Sequence, residues 1–273
     1  MAGFAATLED LARGLQSGLA KAGIQWAETT HAVTFTDSGD LVGLTAHGFS
    51  VGDEVVFPTI VTTTGLTANQ TYYVKTVPSA DTFTISATSG GSTQTFTTDG
   101  TGTVLRVREA RLRYANQAGG NTDVKTINYE GDNVIVPNRI MQSITFDLDS
   151  DAIPIGLHTA LFGLAEVVSN LPDSYTSAYG LFGTAGEQTG KTIGFWFETQ
   201  WTYTNSSGVQ STKTVRYWMP VCTLTPNKPP EAKTSDKPGA WRYSVSVTDF
   251  APTVDVAGRT LPVTGAPVIV MTK

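Results

Sequence analysis

The sequence predicts a mainly β chain that carries two helices and a separate small all-β module. Three observations point there. Gly and Thr are abundant, while charged residues make up only 15% of 273, against about a quarter in ordinary soluble domains. Residues 31–105 read as one short β-branched or aromatic run after another, separated by turn residues. Helical spacing of apolar residues occurs in two places, near the N-terminus and after residue 150.

The composition also excludes some functions. A low-charge surface fits assemblies whose subunits cover one another, and a net charge of −6 argues against a dedicated nucleic-acid binder, which carries a basic excess. A single cysteine, Cys222, rules out an internal disulfide framework. The N-terminus shows no basic stretch followed by an apolar one, so no secretory signal is expected. No run reaches the ~18–20 apolar residues of a membrane span. Synthesis and folding in a cytoplasm are the expectation.

In chain order, residues 1–30 carry the first expected helix. Thr7 is its N-cap, Glu9 and Asp10 suit the positive end of the helix dipole, and Leu8, Leu11, Leu15 and Leu19 form a stripe. Gly23 fits a C-terminal stop, while Gly14 and Gly18 weaken the helix by up to ~1 kcal/mol each. Residues 31–105 then give candidate strands at 32–36, 41–46, 54–58, 71–76, 82–87, 93–98 and 103–108. Six acids against one base, Lys75, put nearly all the net charge in this segment, which supports a separate unit.

Residues 124–168 form the stretch around which the rest is organised. Residues 124–130 and 140–148 read as strands, with Ile140, Ile144, Phe146 and Leu148 on one face. Residues 131–139 read as a loop. Ser150, Asp151 and Pro154 open the second expected helix, and Leu157, Leu161, Leu164 and Val168 form its apolar stripe. Residues 171–189 read as a loop. An alternating strand at 192–203 turns through Asn205–Gly208 into an antiparallel partner at 211–224. A Pro- and Lys-rich loop leads to a strand at 241–250, and 251–273 reads as an extended C-terminal arm with a short strand at 268–271.

The chain is poor in catalytic chemistry. Its three histidines, His31, His47 and His158, match no metal-ligand or catalytic spacing, and no phosphate-loop or nucleophile-elbow motif is present. Arg106, Arg108, Arg111 and Arg113 crowd one stretch. They read as strand arginines paired with carboxylates, within the chain or across a subunit boundary, in preference to a phosphate-contacting patch. Asp147, Asp149 and Asp151 alternate at period two, and an acidic row facing solvent or an interface outweighs a calcium site or catalytic pair. In and beside the 131–139 loop, Glu130, Asp132, Val134, Ile135 and Arg139 combine turn, apolar and ionic residues in the manner of a subunit contact. No catalytic, cofactor or metal residue is assigned, and none of these residues points to an enzyme.

Two resemblances sharpen the reading. LTAHGFSVGDEVVF with GLTANQTYYVKTVPSADTFTISATSGG resembles a small β module of phage virion proteins, written HG-x-x-x-GD-x-V, then YYV and TF-x-(I/L)S. The segments VKTINYEGDNVIVP, QSITFDLD and IGLHTALFGL, followed in order by TIGFWFETQW, VRYWMPVCTL and WRYSVSVTDFAP, resemble the major tail tube proteins of long, non-contractile-tailed phages. The resemblance spans 106–250, with the module of 31–105 inserted near its start and placed on the outer surface.

That resemblance implies a β-sandwich or half-barrel with one packed helix. It implies six copies in a ring and rings stacked into a tail tube, the conduit for DNA ejection in the virion. Expected partners are the chain itself, the tape measure protein, the tail terminator and distal tail or baseplate proteins. DNA would pass without specific binding, no cofactor is expected, and the chain would not insert in a membrane. The alternative is a baseplate or fibre-type adhesin whose module binds host glycan, favoured if Tyr72 and Tyr73 cluster on one exposed face. A β-rich hydrolase comes third.

Overall fold

The computed structural model describes residues 15–112, 115–131, 134–150, 161, 166–167, 178–179, 192–204, 208–228 and 241–272. The chain is mainly β and divides into two compact units. One comprises Met1–Ile24, Ala110–Phe250 and Pro267–Lys273, and the other Gln25–Glu109 with Ala251–Ala266. The second therefore draws on two distant stretches of chain, where the sequence marks a single insertion at 31–105 and an extended arm after 250.

The first strand, β1 (Leu15–Ala27), overturns the helix expected across residues 7–23 from Leu15 onward; residues before Leu15 lie outside those described. Leu15 and Leu19 fit helical spacing, yet Gly18 and Gly23 weaken a helix. Ala22, Ile24 and Trp26, at period two, are buried, and pairing with another strand decides the outcome.

The barrel unit holds β2 (His31–Thr36), β3 (Leu41–Gly43), β4 (Glu54–Val61), β5 (Thr71–Ser79), β6 (Thr82–Ser86) and β7 (Gly100–Leu112), the last crossing into the other unit at its end. They pair in the order β2-β3-β6-β5-β4-β7, and β7 returns to β2, closing a six-strand barrel. Every pairing is antiparallel. Each of the six strands therefore has a neighbour on both sides. The expected strand at 93–98 is reduced to a bridge between Thr93 and Ser86.

Alternation fills the barrel. Val33, Phe35, Val55, Phe57, Tyr72, Val74, Phe83, Ile85 and Val104 point inward, joined by Phe49 and Phe96 from loops. Phe35 meets Phe57 and Phe96 edge-on, with ring centroids 5.4 and 5.5 Å apart, the geometry ring quadrupoles favour. Pro58 falls where the β4–β7 register slips between Val56 and Thr59, a bulge where a missing N–H is tolerated. Outside the barrel, Val56, Leu105 and Val107 form a small apolar patch that Ala257 covers. Residues 251–266 fold back on themselves rather than extending. Val254 bridges Thr260, and the Leu261 and Gly265 N–H groups donate to the carbonyls of Thr253 and Pro252.

The sheet unit holds the first part of β1, then β8 (Ala115–Gly131), β9 (Val134–Ser150), β10 (Glu166–Val167), β11 (Ala178–Tyr179), β12 (Thr192–Thr204), β13 (Gln210–Lys228), β14 (Trp241–Val247) and β15 (Ile269–Thr272). The order is β1-β12-β13-β14-β9-β8, with β15 beside β13 and, among the described residues, β10 paired only to β11. Residues 193–199 of the central strand β12 are buried on both faces. One face meets Phe146 and Tyr217, and the Phe197 and Tyr217 rings stack at 4.8 Å. Leu161, in the stripe of the second expected helix, is helical and 3% exposed. The rest of that helix lies outside the described residues, except that Glu166 and Val167 are strand. Ala178 and Tyr179, expected in a loop, pair with them.

Candidate functional site

The sequence places its candidate residues on one long feature, the β8–β9 hairpin. Its register runs from Ala115 opposite Ser150 to Gly131 opposite Val134. The expected loop at 131–139 is therefore mostly strand: Val134 to Arg139 belong to β9, because continuous pairing with β8 overrides the turn signal of Gly131 and Pro137. Glu130 faces Ile135 across the ladder and Arg139 faces Thr126. Glu130, Val134 and Ile135 thus gather at the hairpin tip, and Arg139 stands further along β9. Asp132 lies outside the described residues.

The acidic row sits toward the other end. Asp147 lies between Gly119 of β8 and Ser244 of β14, and Asp149 between Gln117 and Arg242. Asp151 lies outside the described residues. The two candidate groups occupy opposite ends of the hairpin and form no single site. Among the described residues, β8 pairs with β9 alone and its other edge carries no strand.

The arginine run resolves in the barrel unit. Arg106 donates from Nε to Glu28 at 2.8 Å and from Nη1 to Asp53 at 3.0 Å and to the Gly48 carbonyl at 3.1 Å. Arg108 donates to the other Glu28 oxygen at 2.9 Å. Two guanidiniums share two carboxylates, so of the two pairings expected in preference to phosphate contact, within the chain or across a subunit boundary, Arg106 and Arg108 take the first. Burial raises the Glu28 carboxyl, but the hydrogen bonds and charges of Arg108 and Arg106 together hold it below its ordinary value. Arg111 is exposed, and Arg113 lies outside the described residues.

A second cluster escaped the sequence reading. Arg259 reaches Glu54, the buried Asp255, Gln25 at 2.9 Å and Thr71 at 3.3 Å. Its only signal is that Asp255 and Arg259 are the sole charges among residues 251–266. Burial first, then the charges of Glu109 and Asp255, outweigh Arg259 and raise the Glu54 carboxyl.

The aromatic pair that would favour glycan binding is split. Tyr72 is 2% exposed inside the barrel, while Tyr73, next along the strand, faces outward. A shallow groove of about 650 Å³ runs over Ala32, Thr34, Gly43, Thr45, Asp81 and Thr101 and contains no aromatic side chain. Burial pushes the Cys222 thiol up to about 12, which leaves it unreactive. Among the described residues no three metal-binding side chains converge, and no helix is long and apolar enough to cross a membrane. No family model matches the chain, and no characterised protein or solved structure is significantly similar to it.

Proposed function

We propose that the chain is a structural subunit that assembles with copies of itself into stacked rings, the tail tube of a long-tailed phage. One observation carries the assembly: β8, 17 residues long, is paired on one side only among the described residues. Strands usually run about 5–6 residues, and folded proteins shorten, charge or cover their edges because an open row of N–H and C=O groups templates pairing with another chain. At roughly 3.3 Å per residue this edge is more than 50 Å long. A second copy is the partner that satisfies it, and an interface joining different surfaces of identical subunits closes into a ring when its rotation permits.

The tail-tube identity rests on the order of the segments that resemble that family. Under it the sheet unit is a sandwich with one packed helix, and the barrel unit is an appendage. A conduit should not grip its cargo, and the chain outside residues 31–105, with 17 bases against 18 acids, carries no basic excess with which to bind phosphates.

Negative-stain microscopy of the purified chain is expected to show rings or tubes. Val134→Asp with Ile135→Asp, at the hairpin tip, is expected to abolish them while far-UV circular dichroism stays that of the parent. Normal tubes from the double variant would remove the hairpin from the interface. Monomers alone, by light scattering across a wide concentration range, would remove the assembly.

A further inference from the structure

The HG-x-x-x-GD-x-V pattern, His47 to Val55 here, finds a physical account in the loop joining β3 to β4. Gly48 and Gly52 take the left-handed conformation, at φ 61° and 92°, which L side chains rarely adopt. Between them Phe49, 8% exposed, enters the barrel core. Its ring packs edge-on to Phe83 at 5.1 Å. Asp53 closes the loop by accepting the Ser50 N–H at 2.9 Å.

His47 fixes the backbone of that plug through both ring nitrogens. Nδ1 accepts the Phe49 N–H at 2.9 Å, and Nε2 lies 3.2 Å from the Ser79 carbonyl. A backbone N–H can only donate and a carbonyl can only accept. The imidazole must therefore be neutral, with its proton on Nε2. The ring itself lies against Phe49 and Phe83, at 5.3 and 5.1 Å.

We propose that His47 is an acid-sensitive pin: it holds Phe49 in the barrel while neutral and releases the loop when protonated. A second proton can enter only at Nδ1, where it meets the Phe49 N–H and replaces a hydrogen bond with two opposed donors. Imidazoles are the side chains that ordinarily change charge between about pH 5 and 8.

The charges around the loop divide. Arg106, from β7, donates to the Gly48 carbonyl and lies 5.3 Å from the Phe49 ring centroid, so it opposes a second cation. Asp81, between β5 and β6, accepts the Ala46 N–H at 2.7 Å, and Asp53 is paired with Arg106, as is Glu28. The three carboxylates favour the cation but are already engaged. Lys75 of β5 is directed to the Gly90 carbonyl, and β6 offers the uncharged Phe83.

The test is a nuclear magnetic resonance titration of the full chain, following the His47 ring nitrogens and the Phe49 amide, with the exposed His31 as control. At about pH 7.5 the Nε2–H tautomer is expected; by about pH 5.5 the Phe49 amide should shift with His47 and lose about tenfold or more of its exchange protection, corrected for intrinsic rate. The loss should be absent in His47→Asn, whose side-chain oxygen can accept the same N–H without titrating. The proposal is overturned by a proton on Nδ1 at neutral pH, by an imidazole that stays neutral throughout, or by a Phe49 amide indifferent to His47 charging. If His47→Asn does not fold, the parent titration decides alone.

Discussion

Gly23 shows how a single missing side chain sets local packing. A Cβ there would stand 2.4 Å from Cζ2 of Trp196. The same indole also packs against Arg216, 4.0 Å from the ring centroid, itself held by Glu198 at 2.6 Å. Moving the ring would disturb that contact, so Gly23→Ala is expected to cost about 1–3 kcal/mol, read as a lower urea midpoint at unchanged slope. An unchanged midpoint would mean that the indole yields freely. Glu28 and Glu54 supply an opposed pair for pH. The Glu28 carboxyl is lowered in the folded chain, so its contribution is present above the unfolded value near 4.5 and lost as pH falls through the folded one. The Glu54 carboxyl is raised, so the folded state binds its proton more readily, and ionised Glu54 opposes folding above that raised value. Thermal melts across pH check both signs. Glu28→Gln should lower stability at neutral pH and flatten its acid loss, while Glu54→Gln should leave neutral stability equal or higher. A clear loss in Glu54→Gln would mean that its pair with Arg259 outweighs burial.

Among the elements, legibility followed whether the local pattern agreed with the final partner. The barrel strands could be read because each alternates and each is bounded by Gly, Asp or Ser turns; Val33 and Phe35, or Tyr72 and Val74, declare one face without help. The strand β1 could not, since Leu15 and Leu19 fit a helix and only pairing within the sheet selects the extended form. The stretch from Val134 to Arg139 was hidden by Pro137. That residue lies beyond the part of β9 that β14 covers, Thr145 to Ser150, and proline is tolerated where a strand has a neighbour on one side only. The 251–266 element was the least legible, because Arg259 finds Glu54 across 205 positions of sequence. Its docking is testable. Asp255 has a side chain 0% exposed, and Arg259→Met removes its counter-charge, leaving only the backbone N–H groups of residues 257 and 259 on one oxygen, a loss of up to about 3–5 kcal/mol by comparison with buried pairs. Amide exchange should rise first in 251–266 and in the Val56, Leu105 and Val107 patch that Ala257 covers. Uniform loosening of the whole chain, with no excess in 251–266, would mean that Arg259 does not anchor the element.

At the scale of the molecule, each unit has its own buried core, which predicts that unfolding departs from a single two-state transition. The chain carries five tryptophans; Trp26 falls in the barrel unit, and Trp196, Trp201, Trp218 and Trp241 fall in the sheet unit. Tryptophan fluorescence therefore reports chiefly on the sheet, while amide exchange of β2 to β7 along the same urea series reports on the barrel. Two midpoints are expected, and they should respond differently to protein concentration. If copies pair through β8, assembly binds the folded sheet unit and not its unfolded form. By mass action its midpoint must rise with concentration. The barrel, whose order β2-β3-β6-β5-β4-β7 closes on itself, should keep a constant midpoint. A fluorescence midpoint that ignores a hundredfold change in concentration would show that the β8 edge is not what brings the copies together, whatever the microscope shows of rings. Joint movement of both midpoints would show instead that the two cores unfold as one.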